Sequence, residues 1–219
     1  MAELHRRPLR KRICRSAEKS RLTWKGISSV KFDAEHLAHR QGQNLPMVRL
    51  ADLLSRDLDV VFCGINPALS AARAGHHFSS PNNRFWRVLH RAGFTPHLIQ
   101  PESDRTILQY GCGLTAAVER PTVGASELTS DEFHESAREL ERKLRRYGPR
   151  YLAFLGKPAF AAIFRQRTVA WGQQDIRFGG AEVWVLPNPS GLNRAFSLDA
   201  LVSSYRDLRT ASERTRLEP

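Results

Sequence analysis

Asn66 is the first residue of this chain placed to do chemistry. It ends the run D-V-V-F-C-G-I-N, and Pro67 follows at once. A short apolar run of that kind reads as a buried parallel strand. Proline has no N–H with which to continue a ladder, so the chain must leave the sheet there and set the Asn66 side chain at a strand mouth, where open α/β sheets bind ligands. An amide so placed is no strong general base. Further on, His76 and His77 stand together before Phe78. The two histidines suit phosphate contact or the tuning of a pocket, although adjacent loop histidines are more often solvated or structural. No further His, Asp or Glu falls at ligand spacing with them, which argues against a metal. At residues 188–194, N-P-S-G-L-N-R closes another apolar run with a small, flexible centre, and Leu192 there has no obvious core to join. Lys157, at the start of a helix, is either a point charge for phosphate or a solvated lysine.

The elements that must position these residues are legible as alternating runs. The first strand, 59–65, is followed by a small-residue turn, A-L-S-A-A-R-A-G, and Pro81 with two Asn residues marks the approach to a helix. That helix starts near Asn83, turns Phe85, Val88, Leu89 and Ala92 inward at three-and-four spacing, and stops at Gly93. A second helix is expected over about 102–110, presenting Ile107, Leu108 and Tyr110. C-G-L-T-A-A-V then reads as a strand or extended loop returning to the site, closed by Pro121. Thr129 and Glu132 have capping-box spacing ahead of a long helix to Tyr147, whose Phe133, Ala137, Leu140, Leu144 and Tyr147 share one face. Tyr151–Leu155 is a second buried strand. G-K-P-A-F turns from it into a helix with Pro158 in the first turn. Glu182–Leu186 is a third strand, and Ser197 caps a last helix striped by Leu198, Leu201, Val202, Tyr205 and Leu208. Strands separated by helices predict a three-layer α/β/α sandwich with a mainly parallel central sheet.

Charge and composition narrow the class. The formal charge is +12, with a pI near 10.4, which points to a polyanionic partner. Residues 1–49 hold twelve Lys or Arg against four Asp or Glu, a net of +8, so the remaining 170 residues carry only +4. The run H-R-R-P-L-R-K-R-I-C-R has too few apolar residues to pack. Residues 1–44 are therefore expected to be a basic, disordered extension, either a solvated tail or a phosphate-binding arm, and 45–219 the folded domain. Trp24, Ile27, Val30 and Phe32 offer points at which the extension could dock, and Leu45–Leu54 reads as a short approach segment. No apolar run approaches the roughly 18 residues of a membrane span, and the N-terminus lacks the apolar segment of a secretory signal; a soluble cytoplasmic protein is expected. Cys14, Cys63 and Cys112 are odd in number and widely spaced, which disfavours a disulfide framework or a Cys-rich metal or iron–sulfur site. Cys63 reads as a small core residue. No G-x-G-x-x-G or lysine P-loop follows the first strand, which disfavours a nucleotide-binding protein.

Three motifs in order carry a family resemblance. G-I-N-P-A-L-S at 64–70, N-R-F-W at 83–86 and N-P-S-G-L-N-R at 188–194, with L-G-K at 155–157 and W-V-L-P at 184–187 between the last two, resemble the mismatch-specific uracil/thymine-DNA glycosylases, particularly their bacterial branch. The resemblance runs from about Val60 to about Leu208. It implies a uracil-DNA glycosylase-like fold and a monofunctional DNA N-glycosylase that flips a base out of the duplex. In that light Asn66 matches the catalytic Asn that positions water. Ile65, Pro67 and Phe78 belong to the base pocket, with Phe78 stacking on the flipped base and backbone N–H groups near Ile65 and Phe78 donating to it. Gly191, Leu192, Asn193 and Arg194 form the wedge, with Leu192 entering the stack and backbone groups beside it reading the widowed guanine. Lys157, Asn188 and Ser190 bind phosphate or support the loop.

The resemblance further implies double-stranded DNA with a G·U or G·T mismatch as the partner, a monomeric enzyme with no cofactor and no metal, and association with the nucleoid through DNA. Uracil opposite guanine is the expected substrate, with thymine and etheno-cytosine weaker ones. The related classical uracil-DNA glycosylases have an Asp at the Asn66 place, so catalysis here would rest more on fixed dipoles around the departing base anion and the oxocarbenium-like sugar. No Lys stands at that position to form a Schiff base. Two departures from the family pattern, Ala68 where Gly is frequent and Ala116 where a polar residue is common, bear on pocket shape and on a contact to sugar, phosphate or water. The rival reading is a mismatch-DNA binding protein with weak catalysis.

Overall fold

Val60–Gly64 (β1) is apolar on both faces, and the fold uses both. In the computed structural model, which describes residues 49–217 and side chains through 214, β1 pairs in parallel with Cys112–Ala116 (β2) on one side and Tyr151–Leu155 (β3) on the other. β3 pairs in parallel with Ala181–Leu186 (β5), and Gly172–Phe178 (β4) closes the sheet antiparallel to β5, giving the order β2-β1-β3-β5-β4. The basic extension over 1–44, with Cys14, Trp24, Ile27, Val30 and Phe32, and the first part of the approach segment from Leu45 lie outside the described residues. Among the described residues no helix is long and apolar enough to cross a membrane.

Successive strand residues point to opposite faces, and each face has its own core. Val60, Phe62, Leu114, Tyr151, Leu155 and Trp184 pack beneath helices Phe85–Ala92 (α2) and Leu198–Leu217 (α5). Val61, Cys63, Leu152, Phe154, Val183 and Val185 pack beneath Ser130–Tyr147 (α3) and Lys157–Phe164 (α4). The result is a three-layer α/β/α sandwich. Burying one large apolar side chain contributes about 1.5–3 kcal/mol, so strands buried on both faces are a main source of stability for this domain. Burial also pushes the Cys63 thiol pKa up, which keeps it a neutral core residue.

Helix starts follow local chemistry. Thr129 Oγ1 accepts from Glu132 N at 3.3 Å while the Glu132 carboxylate accepts from Thr129 N at 2.9 Å, the reciprocal pair its spacing predicts. Phe85 N donates to Asn83 Oδ1 at 2.9 Å at the head of α2, and Ala200 N donates to Ser197 Oγ at 3.1 Å at the head of α5.

Three segments differ from the sequence expectation. The small-residue turn after Pro67 contains a helix, Leu69–Ala74 (α1), because Ala71 and Ala72 bury on the domain and alanine is the strongest helix former. Pro101–Tyr110 is 3₁₀ rather than α-helical and is interrupted at Ser103, where φ is −108° and ψ 22°. β4 has no apolar run to announce it. It is an edge strand with alternate residues half-buried, joined to β5 through Gly179 and Gly180, whose φ values of 59° and 95° suit the tight hairpin turn.

Candidate active site

Past Gly64 the chain leaves the sheet but keeps a partner. Gly64 O accepts from Ala117 N at 2.9 Å, Ile65 O from Val118 N at 3.0 Å and Pro67 O from Thr122 N at 3.1 Å, while Leu69 N donates to Thr122 O at 3.0 Å. Residues 64–69 are thus zipped along 117–122, and the Asn66 side chain is held in the same seam. Its Nδ2 donates to Arg120 O at 3.0 Å and to Thr122 Oγ1 at 2.6 Å. Thr122 Oγ1 in turn donates to Gly124 O at 2.9 Å, so its lone pair is available to Asn66. A carbonyl oxygen can only accept, which fixes the amide nitrogen on the Arg120 side. Asn66 is half-buried, and Oδ1, an acceptor, is left out of both bonds.

Arg120 links this seam to a helix terminus. Its main chain holds Asn66, and its guanidinium pairs with Glu132 in the first turn of α3, Nε to Oε1 at 2.6 Å and Nη2 to Oε2 at 3.1 Å. The Arg120 hydrogen bond, followed by the Thr129 N–H, lowers the Glu132 pKa to about 2.

Phe78 is a second element of the mouth. Its φ is 54°, a conformation that costs a non-glycine residue on the order of 1–3 kcal/mol and persists only where surroundings enforce it. Those surroundings centre on His77. Its N–H donates to Asp104 Oδ2 at 2.8 Å, its carbonyl accepts from Trp86 Nε1 at 3.1 Å, and its Nε2 lies 2.9 Å from Ala51 O. Burial is the main force lowering the His77 pKa, so the ring is neutral and Nε2 carries the proton donated to Ala51. His77 is therefore a buried structural residue. His76 Nδ1 stands 3.9 Å from Asp104 Oδ1, beyond hydrogen-bond range. The Phe78 ring stacks on Phe85 with centroids 3.9 Å apart and planes 25° from parallel. Gly64 lies beneath its tip, where an added Cβ would come 3.9 Å from Cζ.

The third motif leaves β5 as a braced loop. Asn188 Oδ1 accepts from Ser190 N at 2.9 Å, Asn188 O accepts from Asn193 Nδ2 at 2.8 Å, and Ser190 Oγ accepts from Leu192 N at 3.3 Å. Asn188, Ser190 and the Asn193 side chain are thus internal struts, while Arg194 is exposed and Leu192 is 86% exposed. Gly191 lies directly on Asn82, since a Cβ there would stand 2.6 Å from Asn82 O. Arg84 reaches under the loop and donates to four of its carbonyls. Lys157 begins α4 with Nζ 4.4 Å above the Trp171 ring, and Trp171 meets Phe196 edge to face at 5.4 Å. Ile65 and Asn188 both flank Gly156, an added Gly156 Cβ lying 3.5 Å from Asn188 Cβ and 3.6 Å from Ile65 Cδ1. The carboxyl ends of β1, β3 and β5 thereby form one continuous rim.

This rim can orient a water through an acceptor oxygen, present an aromatic ring for stacking, and insert an exposed apolar tip. Ala116, in register with Gly64, also lines a cavity of about 200 Å³ with Arg49, Glu119 and Lys143. Among the described residues no group of three His, Cys, Asp or Glu is placed to hold a metal. Thr122, Arg84 and Asp104 were not distinguished by sequence. Arg84 lies inside N-R-F-W and Thr122 just beyond Pro121, but neither spacing reveals its partner.

Comparisons with known proteins agree with this architecture. The family model described as the uracil DNA glycosylase superfamily matches residues 51–209. A solution NMR structure of a candidate uracil DNA glycosylase from Methanosarcina acetivorans superposes with a TM-score of 0.51 at 20% identity, covering 74% of this chain and 98% of that one. At that identity the likeness concerns the fold.

Proposed function

The chain belongs to the uracil DNA glycosylase superfamily, whose members are DNA glycosylases, and from that premise we propose that it is a monofunctional glycosylase excising uracil opposite guanine. Thymine and etheno-cytosine opposite guanine are its weaker substrates. It acts as a monomer on cytoplasmic DNA. The observation that carries the reading is the seam around Asn66: with Nδ2 bound to Arg120 and Thr122, Oδ1 is held ready to accept from a water.

The chemistry follows from what an amide can and cannot do. The C1′–N1 bond breaks with its electron pair leaving on the base, giving a base anion and an oxocarbenium-like sugar; the oriented water bonds to C1′ and releases its proton to solvent. Asn66 is too weak a base to drive that attack. The barrier is lowered mainly by dipoles fixed around developing charge, with backbone N–H groups near Ile65 and Phe78 donating to the base oxygens. Phe78, backed by Phe85, offers a flat face to a flipped pyrimidine. Leu192 enters the vacated stack, backbone groups of 191–194 read the widowed guanine, and Lys157 meets a phosphate. The absence of a lysine at the Asn66 position supports simple hydrolysis over a lyase step. Ala68 narrows the pocket floor and Ala116 removes a polar contact, which weakens activity or changes substrate preference.

A duplex carrying uracil opposite guanine, the same duplex with uracil opposite adenine, and the single strand test the proposal together. Alkali-labile sites should form fastest on the G-paired substrate, and strands should stay intact until alkali is added. Binding to the mismatch with no abasic product would instead favour a catalytically weak mismatch-binding protein.

A further inference from the structure

Arg84 makes five hydrogen bonds to a single loop. Its main-chain N donates to Pro189 O at 3.0 Å. Its guanidinium donates from Nε to Pro189 O at 3.4 Å, from Nη1 to Phe196 O at 2.7 Å, and from Nη2 to Ser190 O at 3.0 Å and Asn193 O at 2.8 Å. Every acceptor is a main-chain carbonyl. Carbonyls before and after Leu192 are therefore drawn inward onto one planar cation, and Asn193 N closes the turn on Ser190 O at 3.0 Å. With both flanks pinned and its own N–H on Ser190 Oγ, Leu192 has only outward space, consistent with its 86% exposure. The residue after Arg84 is Phe85, the ring on which Phe78 stacks.

We infer that Arg84 is a positioning residue that holds the 189–196 loop in its DNA-inserting shape before DNA arrives and sets the distance from Leu192 to the Phe78 platform through the head of α2. The inference rests on the wedge role proposed for Leu192. A loop ordered in the free protein loses little further freedom on binding, so more of the contact energy remains for holding the opened duplex. Lysine cannot substitute, since its ammonium lacks the flat fork that reaches four carbonyls at once.

Arg84→Lys retains charge and aliphatic stem and is the direct test. Amide hydrogen exchange in the free protein should rise across 190–196 and hardly at all in β1 or β3. Single-turnover excision should fall about tenfold more on duplex than on single-stranded uracil, and Arg84→Lys added to Leu192→Ala should cost less than about twofold beyond Leu192→Ala alone, the non-additivity of two residues acting through one contact. Arg84→Ala should regain duplex activity with methylguanidinium but not with methylammonium, a readout that separates positioning from general folding. Equal losses on duplex and single strand, multiplicative losses in the double variant, or unchanged loop exchange would each overturn the inference. Retention of a duplex carrying an abasic-site analogue gives the same comparison without excision, so failure of the glycosylase reading is distinguishable. A Leu192→Ala protein that retains this duplex as well as the parent would remove the wedge and Arg84's task together.

Discussion

Asn66 and Gly191 show how much of this site depends on single atoms. At Asn66 the amide nitrogen is engaged by Arg120 and Thr122, which leaves Oδ1 for the water-positioning role proposed for it. Asn66→Ala should slow single-turnover excision by about two to three orders of magnitude, the range for losing one oriented polar group, while affinity for a G·U duplex, measured by fluorescence anisotropy, stays close to the parent's. Undiminished excision would remove the residue from its role. Gly191 matters for the opposite reason, through an atom it lacks. A Cβ there would stand 2.6 Å from Asn82 O, a main-chain atom that cannot swing aside. Gly191→Ala should therefore lift the loop from α2's approach and reduce duplex excision although Leu192 is untouched. A variant that matches the parent on a G·U duplex would show that the contact relaxes without consequence. Ala116 is a third position of this kind. If the missing polar contact limits turnover, Ala116→Asn should raise excision of at least one G-paired substrate, whereas a loss on all of them would mean the space has been repacked around alanine.

Among the elements, the head of α3 is coupled to the Asn66 seam. Arg120 holds Asn66 with its backbone and Glu132 with its side chain, so the capping box and the Asn66 seam share a residue. Glu132 has its carboxyl lowered from 4.5 to about 2, first by Arg120 and then by the Thr129 N–H. A folded value below the unfolded one means that the charged form favours folding. Its contribution is complete above about pH 4.5 and disappears as pH falls toward 2. Glu132→Gln should lower the melting temperature at neutral pH, and its deficit relative to the parent should shrink between pH 4.5 and 2. A deficit of constant size across that interval would mean that the pair carries no pH-linked stability. Because this pair lies at the surface, salt should diminish it as well.

For the whole molecule the distribution of charge is the governing feature. Eight of the twelve net positive charges fall within residues 1–49, whereas the proposed site lies on the rim of β1, β3 and β5. Removing residues 1–44 should weaken DNA binding and flatten its dependence on salt, because fewer phosphate contacts release fewer counterions. Excision at saturating enzyme should change little. An unaltered slope of log K against log salt would show that the extension makes no phosphate contact.

The parts governed by local rules were legible before folding. Apolar runs at 59–65, 151–155 and 182–186 read as buried strands and fold as 60–64, 151–155 and 181–186, Thr129 and Glu132 announced a helix start, and Asn66 before Pro67 marked where the chain leaves the first strand. The sequence did not reveal β4, whose polar residues look like loop until β5 supplies a ladder, nor the helix hidden in A-L-S-A-A-R-A-G. The partners of the site residues were equally hidden. Asn66 is held by residues 54 and 56 positions away, and Arg84 by carbonyls 105–112 positions away. A residue's period and neighbours record which way it faces, but a main-chain carbonyl has no sequence signature. Where such an acceptor lies is decided only when the sheet brings the ends of β1, β3 and β5 together.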